Sequence, residues 1–247
     1  MSQKKLSSAI VLLVLLGSIA TAQTKQSEGL SQNRSAAMSA IERGNRRFAE
    51  ADYQSALSEY RSVTRSAPDI YAQALYNIGV CHFELWRTEE AINFYRQAIE
   101  ERQGRYPKAS YALGVALENQ SRLAEAKEAY RQSIVISQGE YAPAHYRLGL
   151  LVWMEGDYEA AADCFRRAIA RKGVHVAASH NNLGVMLALQ GRLTEARREF
   201  EIALKQTDGD FADATDNLKL CRSLLAAPAT AGVATLKITE MIAFAFR

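Results

Sequence analysis

The sequence predicts an all-α fold: a right-handed α-solenoid of five 35-residue helix–turn–helix repeats followed by a C-terminal capping helix. Three residue types recur with this step and carry the prediction, because columns kept in register indicate stacked supersecondary units. They are a glycine, an alanine twelve residues later and an aromatic residue four positions after the alanine. The glycines are Gly44, Gly79, Gly114, Gly149 and Gly184; the alanines are Ala56, Ala91, Ala126, Ala161 and Ala196; the aromatic residues are Tyr60, Tyr95, Tyr130, Phe165 and Phe200.

Each repeat reads as two amphipathic helices. In the fifth, 177–190 carries apolar residues at helical spacing, Gly191 and Arg192 interrupt the pattern, and 193–205 resumes it. The glycine and the alanine allow two antiparallel helices to approach closely, and we expect the aromatic ring to fill the gap toward the next repeat. A single helix pair cannot bury its own apolar face, so at least three pairs must stack.

The residues between Asn182 and Ala196 resemble the tetratricopeptide repeat, and the resemblance covers residues 37 to about 210. This chain departs from the family pattern in its 35-residue step, one longer than usual, and in having the late proline only once, as Pro68. The loop glycine of the family is present in two repeats and replaced in three. The five residues at that position are Ala51, Trp86, Ser121, Gly156 and Gly191. The resemblance implies a protein-binding function without catalysis.

The chain divides into a leader, the repeats and a C-terminal extension. The predicted segments are a signal peptide over 1–22, a disordered leader over 23–36, repeats over 37–71, 72–106, 107–141, 142–176 and 177–211, a capping helix over 211–227 and a C-terminal tail over 228–247. The leader is predicted to be disordered because it is polar and poor in apolar residues.

The first 22 residues have the three parts of a signal peptide. Lys4 and Lys5 are positively charged, Ala9 to Ala20 form a short apolar run, and small residues precede the expected cleavage near Ala22. An uncleaved membrane anchor is the alternative, but the run is shorter than the roughly 20 residues that a spanning helix needs. We expect an exported protein, periplasmic or secreted after cleavage.

The charge balance argues against nucleic acid or an anionic membrane as a general partner. Without Lys4 and Lys5 the chain carries 28 basic against 27 acidic residues. The 35-residue step is also that of pentatricopeptide RNA-binding repeats, but those lack the glycine and second-helix alanine columns. We therefore expect no nucleic-acid partner, and membrane contact only through a partner or the tail.

The family resemblance implies which residues face the concave groove. First helices line that surface, and the fifth, ninth and twelfth positions of each repeat point into it. The candidate groove residues are Tyr76, Tyr111, Tyr146 and Asn181 at the fifth position, Asn45, Val80, Val115, Leu150 and Val185 at the ninth, and Phe48, Phe83 and Trp153 at the twelfth. The three tyrosines either form a ladder of binding rings along the wall or pack between adjacent first helices.

Some family members hold a C-terminal carboxylate with five polar side chains. Asn45, Asn77 and Lys108 match three of these positions, whereas Ile41 and Ala112 occupy the other two. Loss of two charged donors removes most of the charge-assisted hydrogen bonding that such capture requires. The sequence therefore disfavours this carboxylate site.

No catalytic, metal or cofactor site is identified, and we expect a protein that is not an enzyme. Cys81, Cys164 and Cys221 fit no metal or redox spacing and are expected to be buried and inert. His145 and His180 recur at the same repeat position but lack converging partner ligands at short spacing. They are interpreted as core or groove-edge residues.

The C-terminal extension is predicted to contain a capping helix and an apolar tail. In the capping helix, Asp213 and Asp216 face solvent while Leu218 and Leu224 cover the last repeat. The tail over 228–247 ends in an apolar stretch that would aggregate if exposed. It folds back on its own chain, enters the groove of a neighbouring copy or docks on a membrane partner.

The functional prediction is a scaffold or adaptor that binds a peptide segment of a partner in its groove, in cell-envelope assembly. Two alternatives stay open. One is a self-associating structural protein that uses its tail to form homo-oligomers, and the other is a non-catalytic accessory subunit of an enzyme complex. Fold alone does not choose among them, because function lies in the site carried by the fold.

Overall fold

The computed structural model describes residues 29–173, 175–226 and 236–239, and all secondary structure within these ranges is helical. The chain forms two compact units, an N-terminal unit over Met1–Gln103 and a C-terminal unit over Gly104–Arg247. The N-terminal unit contains α1 (29–49), α2 (Tyr53–Arg61), α3 (Pro68–Glu84) and α4 (Thr88–Glu101). The C-terminal unit contains α5 (Pro107–Asn119), α6 (Leu123–Ile136), α7 (Ala142–Met154), α8 (Tyr158–Ala170), α9 (Val176–Leu189), α10 (Leu193–Gln206) and α11 (Ala212–Ala226).

Within each unit, the helices pack in sequence order as antiparallel pairs, and successive pairs contact one another. In the C-terminal unit the first helices α5, α7 and α9 pack on the second helices α6, α8 and α10, and α11 packs on α10. The prediction of an all-α repeat fold of the solenoid class with a terminal helix is confirmed.

The recurring glycines explain how closely the two helices of a pair approach. A Cβ atom at Gly184 would lie 2.6 Å from the ring of Phe200, and the equivalent distances in the other four repeats lie between 2.3 and 2.9 Å. All five alanines of the second helices are fully buried. Each ring therefore fills the space left by the glycine of its own repeat, which differs from the expectation that it points toward the next one.

The turn between the two helices of each repeat requires one residue in the left-handed region. This residue has φ 84° at Gly156 and 76° at Gly191, as glycine allows without strain. In the other three repeats the same position holds Ala51, Trp86 and Ser121, with φ between 58° and 59°. The backbone geometry of the turn is thus kept where the glycine is lost, at a steric cost of about 1–2 kcal/mol per residue.

The leader is shorter than predicted. Residues 29–36 form the exposed start of α1, so the expectation of disorder up to residue 36 is wrong for this part. Leu30, Gln32 and Arg34 favour helix intrinsically. The packed part of α1, whose first buried residue is Ala37, nucleates a helix that a short segment does not form alone. Residues 23–28 and the predicted signal peptide lie outside the described residues.

The last helix closes the array as expected of a cap. Leu218, Cys221 and Leu224 of α11 are buried, and Arg222 donates to Glu201 of α10 at 3.1 Å. Asp213 and Asp216 do not simply face solvent, because both contact the C-terminal tail.

Candidate functional site

A short extended piece of the tail, residues 236–239, lies on the first helices of the C-terminal unit and is called the 236–239 segment below. Its contacts are with α7, α9 and α11. Lys237 is held by α11, and Thr239 is held by α9 and α7, so the segment runs opposite to the order of the repeats. The rest of the predicted tail lies outside the described residues.

Asn217 of α11 bonds both backbone polar groups of Lys237. Its Oδ1 accepts from the Lys237 N–H at 2.7 Å, and its Nδ2 donates to the Lys237 carbonyl at 2.8 Å. A side-chain amide carries one acceptor and two donors, so it can pair with a residue of extended chain as a neighbouring strand would.

Asn182 of α9 repeats the arrangement two residues further along the segment. Its Oδ1 accepts from the Thr239 N–H at 2.9 Å, and its Nδ2 donates to the Thr239 carbonyl at 3.1 Å. In an extended chain the structural repeat is two residues, so Lys237 and Thr239 present their N–H and carbonyl groups to the same side. Asn182 and Asn217 are called the asparagine pair below.

Asn181 joins the two members of the asparagine pair, and its Nδ2 donates to Asn182 Oδ1 at 3.2 Å. Its Oδ1 accepts from Asn217 Nδ2 at 2.8 Å, and its Nδ2 donates to the Lys237 carbonyl at 3.2 Å and to Thr239 Oγ1 at 3.0 Å. The Tyr146 hydroxyl of α7 donates to the Thr239 carbonyl at 2.5 Å. The segment is thus held mainly through its backbone, by a connected network of amide side chains.

Two carboxylates of α11 contact the side chains of the segment. Asp216 accepts from the Lys237 ammonium group at 2.6 Å, and Asp213 accepts from Thr239 Oγ1 at 2.9 Å. The hydrogen bond and the charge of Lys237 lower the pKa of Asp216, and those of Asp216 raise the pKa of Lys237. These contacts distinguish side chains, whereas the asparagine pair bonds backbone atoms.

The asparagine pair occupies one position of the repeat. Asn182 and Asn217 are 35 residues apart, and Asn77 of α3 stands at the same position in an earlier repeat. Asn77 donates to Asn45 at 3.3 Å, and Asn45 also accepts from the Tyr60 hydroxyl at 2.8 Å. The recurrence of asparagine at this position is visible in the sequence. Periodicity alone did not distinguish it as a binding position.

The predicted groove residues other than Tyr76 and Tyr111 fall into three groups. Tyr146 and Asn181 contact the 236–239 segment directly. Asn45 is exposed, whereas Phe48, Phe83 and Trp153 are partly buried. The aliphatic ninth-position residues are all buried in the packed interior, and they are Val80, Val115, Leu150 and Val185.

The tyrosine ladder is not an exposed wall of rings, because Tyr76, Tyr111 and Tyr146 are all buried. Each ring lies against the aromatic residue of the second helix of its own repeat, with centroid distances between 5.7 and 5.9 Å. The rings of Tyr111 and Tyr146 also contact the residue that precedes the next first helix. Packing therefore accounts for the rings, and the hydroxyl of Tyr146 contributes to the site.

The remaining polar candidates give no second site among the described residues. Cys81, Cys164 and Cys221 are unbridged, and burial raises the pKa of the Cys81 thiol to about 12 and that of Cys164 to about 11. His145 contacts the Gly139 carbonyl at 3.1 Å, and His180 pairs with Glu199 at 2.6 Å. Within the described ranges no cluster of three metal-ligating side chains occurs.

The described part of the chain has no helix that combines the length and the apolar character needed to cross a membrane.

The fold and this site together define a helical repeat protein that holds an extended polypeptide segment on its first helices. A family model described as "Tetratricopeptide repeat" matches residues 41–106, 95–143, 111–173 and 146–211, which together span more than half of the chain. The chain belongs to the tetratricopeptide repeat family. The family generally supplies non-catalytic scaffolds for protein–protein interaction.

Solved structures with a similar fold share little sequence identity with this chain. MamA from Desulfovibrio magneticus RS-1 matches with a TM-score of 0.57 and 18% identity, covering 71% of this chain and 98% of that one. YrrB, described as a TPR protein with an unusual peptide-binding site, matches with 0.57 and 19%, covering 78% and 97%. PilF of Pseudomonas aeruginosa matches with 0.60 and 15%, covering 81% and 95%. A comparison with curated proteins gave no match.

Proposed function

We propose that this protein is a non-catalytic scaffold that binds an extended segment of a partner polypeptide across α7, α9 and α11. One observation carries the proposal: Asn182 and Asn217, from successive repeat positions, bond the backbone N–H and carbonyl groups of alternate residues in an extended chain. Every polypeptide offers these groups with the same two-residue spacing. A partner segment can therefore make the contacts that residues 236–239 make.

Burial of the amide side chains supports this function. With the 236–239 segment in place, Asn181 and Asn182 are 0% exposed and Asn217 is 1% exposed. A buried amide without hydrogen-bond partners costs about 1–3 kcal/mol, so apolar residues would stabilise the helices better if packing were their only role. Three buried amides on adjacent first helices are suited to a site that receives backbone groups.

The comparisons support the same class of function. Peptide binding in the family agrees with backbone recognition along the first helices, and YrrB is described as having a peptide-binding site. At 19% identity that likeness concerns the fold alone, so the binding residues proposed for this chain come from its own geometry.

The test measures peptide affinity in a variant whose own tail cannot mask the result. Replacement of Lys237 and Thr239 by proline removes both N–H donors to the asparagine pair. Peptides selected from a random display library on full-length Lys237→Pro/Thr239→Pro protein are labelled, and their affinity is measured by fluorescence anisotropy. This background is needed because an asparagine substitution in wild-type protein weakens the tail and the peptide together, and the two effects cancel.

In that background we expect Asn182→Ala and Asn217→Ala each to weaken binding about fivefold or more, since each removes two hydrogen bonds of about 0.5–1.5 kcal/mol. Asn93→Ala, an exposed asparagine of α4, is the matched control and leaves affinity unchanged. Circular dichroism checks that all variants remain helical. Equal affinity for the asparagine variants and the control would contradict the proposed site.

The proposal places the scaffold outside the cytoplasm, in cell-envelope assembly. Its support is the sequence pattern of Lys4, Lys5 and the apolar run that ends near Ala22. Intact-mass measurement on protein recovered from the producing cells tests it. A mature chain beginning at Gln23 in the periplasmic fraction or the medium is expected, and a chain that retains residues 1–22 in the cytoplasm contradicts export.

A further inference from the structure

We propose that the 236–239 segment is an internal ligand of this site, and that it defines the partner class: an extended segment with Lys or Arg at one position and Thr or Ser two residues later. The inference rests on the proposed function. The site selects particular side chains of the partner, and the chain's own tail must leave before a partner enters.

The backbone contacts of the segment give affinity, and its side-chain contacts select the residue type at two positions. The asparagine pair holds the backbone and accepts any sequence except proline at the two bonded residues. Asp216 faces the Lys237 ammonium group and Asp213 faces the Thr239 hydroxyl. Both carboxylates belong to α11, and they disfavour an acidic residue at either position by like-charge repulsion.

The hydroxyl position has a further reason to be selective. Thr239 Oγ1 donates to Asp213 and accepts from Asn181 Nδ2 at 3.0 Å. A hydroxyl group can donate and accept at the same time, whereas a methyl group at this point leaves both a carboxylate and an amide without that partner. Thr and Ser satisfy both contacts, and Val, which has nearly the same shape, satisfies neither.

The position of the segment in the chain gives it an advantage over a free peptide. Nine residues separate the end of α11 at Ala226 from Leu236. A connection of this length raises the effective concentration of a tethered ligand to the order of millimolar. If the tail fills the site 99% of the time, the apparent affinity for a partner falls about 100-fold.

The test uses one labelled peptide with the sequence of residues 234–240 and two full-length proteins. The peptide is expected to bind the Lys237→Pro/Thr239→Pro protein at least tenfold more tightly than wild type, because the prolines remove the tail from the site. Lys237→Ala/Thr239→Ala is the matched control; it keeps the backbone donors and gives intermediate affinity. Equal affinity for wild type and the proline variant overturns the internal ligand, as does absence of binding to both.

Peptide variants test the selection. With the proline variant, replacing the lysine equivalent to Lys237 by glutamate is expected to weaken binding about threefold, as for a solvent-exposed ion pair. Asp216→Lys in the same protein reverses that preference, whereas Asp210→Lys, which makes the same charge change elsewhere, does not. Replacing the threonine by valine weakens binding, and replacing it by serine does not. Equal affinity for all these peptides overturns the proposed partner class.

The outcomes separate this inference from the proposed function. If the asparagine variants weaken selected peptides in the proline background while wild type and the proline variant bind equally, the scaffold function stands and the internal ligand falls. If the asparagine variants have no effect in that background, the proposed site falls. Light scattering on wild type gives a monomer when the tail binds its own chain; a dimer that the two prolines convert to a monomer overturns the intramolecular arrangement.

Discussion

The positions where a glycine lies under an aromatic ring are those at which this fold is least tolerant of a larger side chain. The ring of Phe200 occupies the space in which a Cβ atom at Gly184 would lie. The ring is fully buried, so it cannot move toward solvent. Closely packed interiors resist even one added methyl group.

We therefore predict that Gly184→Ala destabilises the protein by about 1–3 kcal/mol, the usual range for overpacking. Thermal unfolding followed by circular dichroism measures the change. Gly29→Ala is the matched control, because no atom lies within 4 Å of the added Cβ there, and alanine favours helix over glycine. A smaller side chain at the ring, Phe200→Leu, recovers part of the loss; equal melting temperatures for Gly184→Ala and wild type would argue against the close contact.

Left-handed turn residues give a second prediction at the residue scale. Trp86 has φ 59° and is 86% exposed, so its side chain loses little burial when removed. Trp86→Gly is expected to raise the unfolding free energy by about 0.5–1 kcal/mol, since glycine relieves the steric strain but adds chain entropy to the unfolded state.

The reverse change at the equivalent turn serves as the control. Gly191 has φ 76°, and Gly191→Trp is expected to lower the unfolding free energy by about 1 kcal/mol or more. Denaturant titration of both variants measures the pair. A loss of stability on Trp86→Gly would show that the indole makes contacts that outweigh the backbone strain.

At the scale of elements, the 236–239 segment shows how a helical repeat can hold an extended chain. Two helices cannot offer a strand edge, because their own backbone groups are already paired within the helix. The side-chain amides of Asn182 and Asn217 take the place of that edge. Their 35-residue spacing brings equivalent positions of neighbouring first helices next to successive N–H and carbonyl groups of the segment.

Amide hydrogen exchange can test each bond separately. Asn217→Ala is expected to speed exchange of the Lys237 N–H more than that of Thr239, and Asn182→Ala is expected to do the opposite, because each asparagine accepts from one of the two donors. Nuclear magnetic resonance resolves the two amides, so each variant is a control for the other. Identical rapid exchange of both amides in wild type would contradict the docked segment.

Across the whole molecule, buried and partly buried histidines link stability to pH. Burial lowers the pKa of His82, His145 and His175. Their unfolded-state pKa is near 6.5, so below this pH the unfolded chain binds protons more readily than the folded chain. Their stabilising contribution is therefore complete above about pH 6.5 and falls as the pH decreases.

We predict a lower melting temperature at pH 5.5 than at pH 7.5, with a smaller difference in the His82→Gln/His145→Gln/His175→Gln variant. Calorimetry at the two pH values measures it. The comparison is between the two pH-dependent changes, so loss of packing in the triple variant does not affect the conclusion. An equal pH dependence in both proteins would assign the effect to carboxylates instead.

Much of the fold was predictable from the sequence: the repeat period, the helix pairs and the position of the turns. The reason is that the glycine, alanine and aromatic columns make the same local packing contact in each of five repeats. The left-handed turns were located even where Ala51, Trp86 and Ser121 replace glycine, since the 35-residue step places them. The groove residues were predicted less well. Family positions identified Tyr146 and Asn181, whereas burial of all three tyrosine rings depends on neighbours that periodicity does not specify.

A tetratricopeptide-like array with a terminal cap follows from the sequence alone, because helix pairing is local and its residues recur. Which first-helix side chains meet an extended segment depends on the folded chain. Thr239 is 57 residues from Asn182, and Lys237 is 20 residues from Asn217. Hydrogen bonds over such separations depend on where the chain returns in space, and the backbone groups they bind are the same in every residue. The recurring asparagine therefore does not show in the sequence which segment it binds.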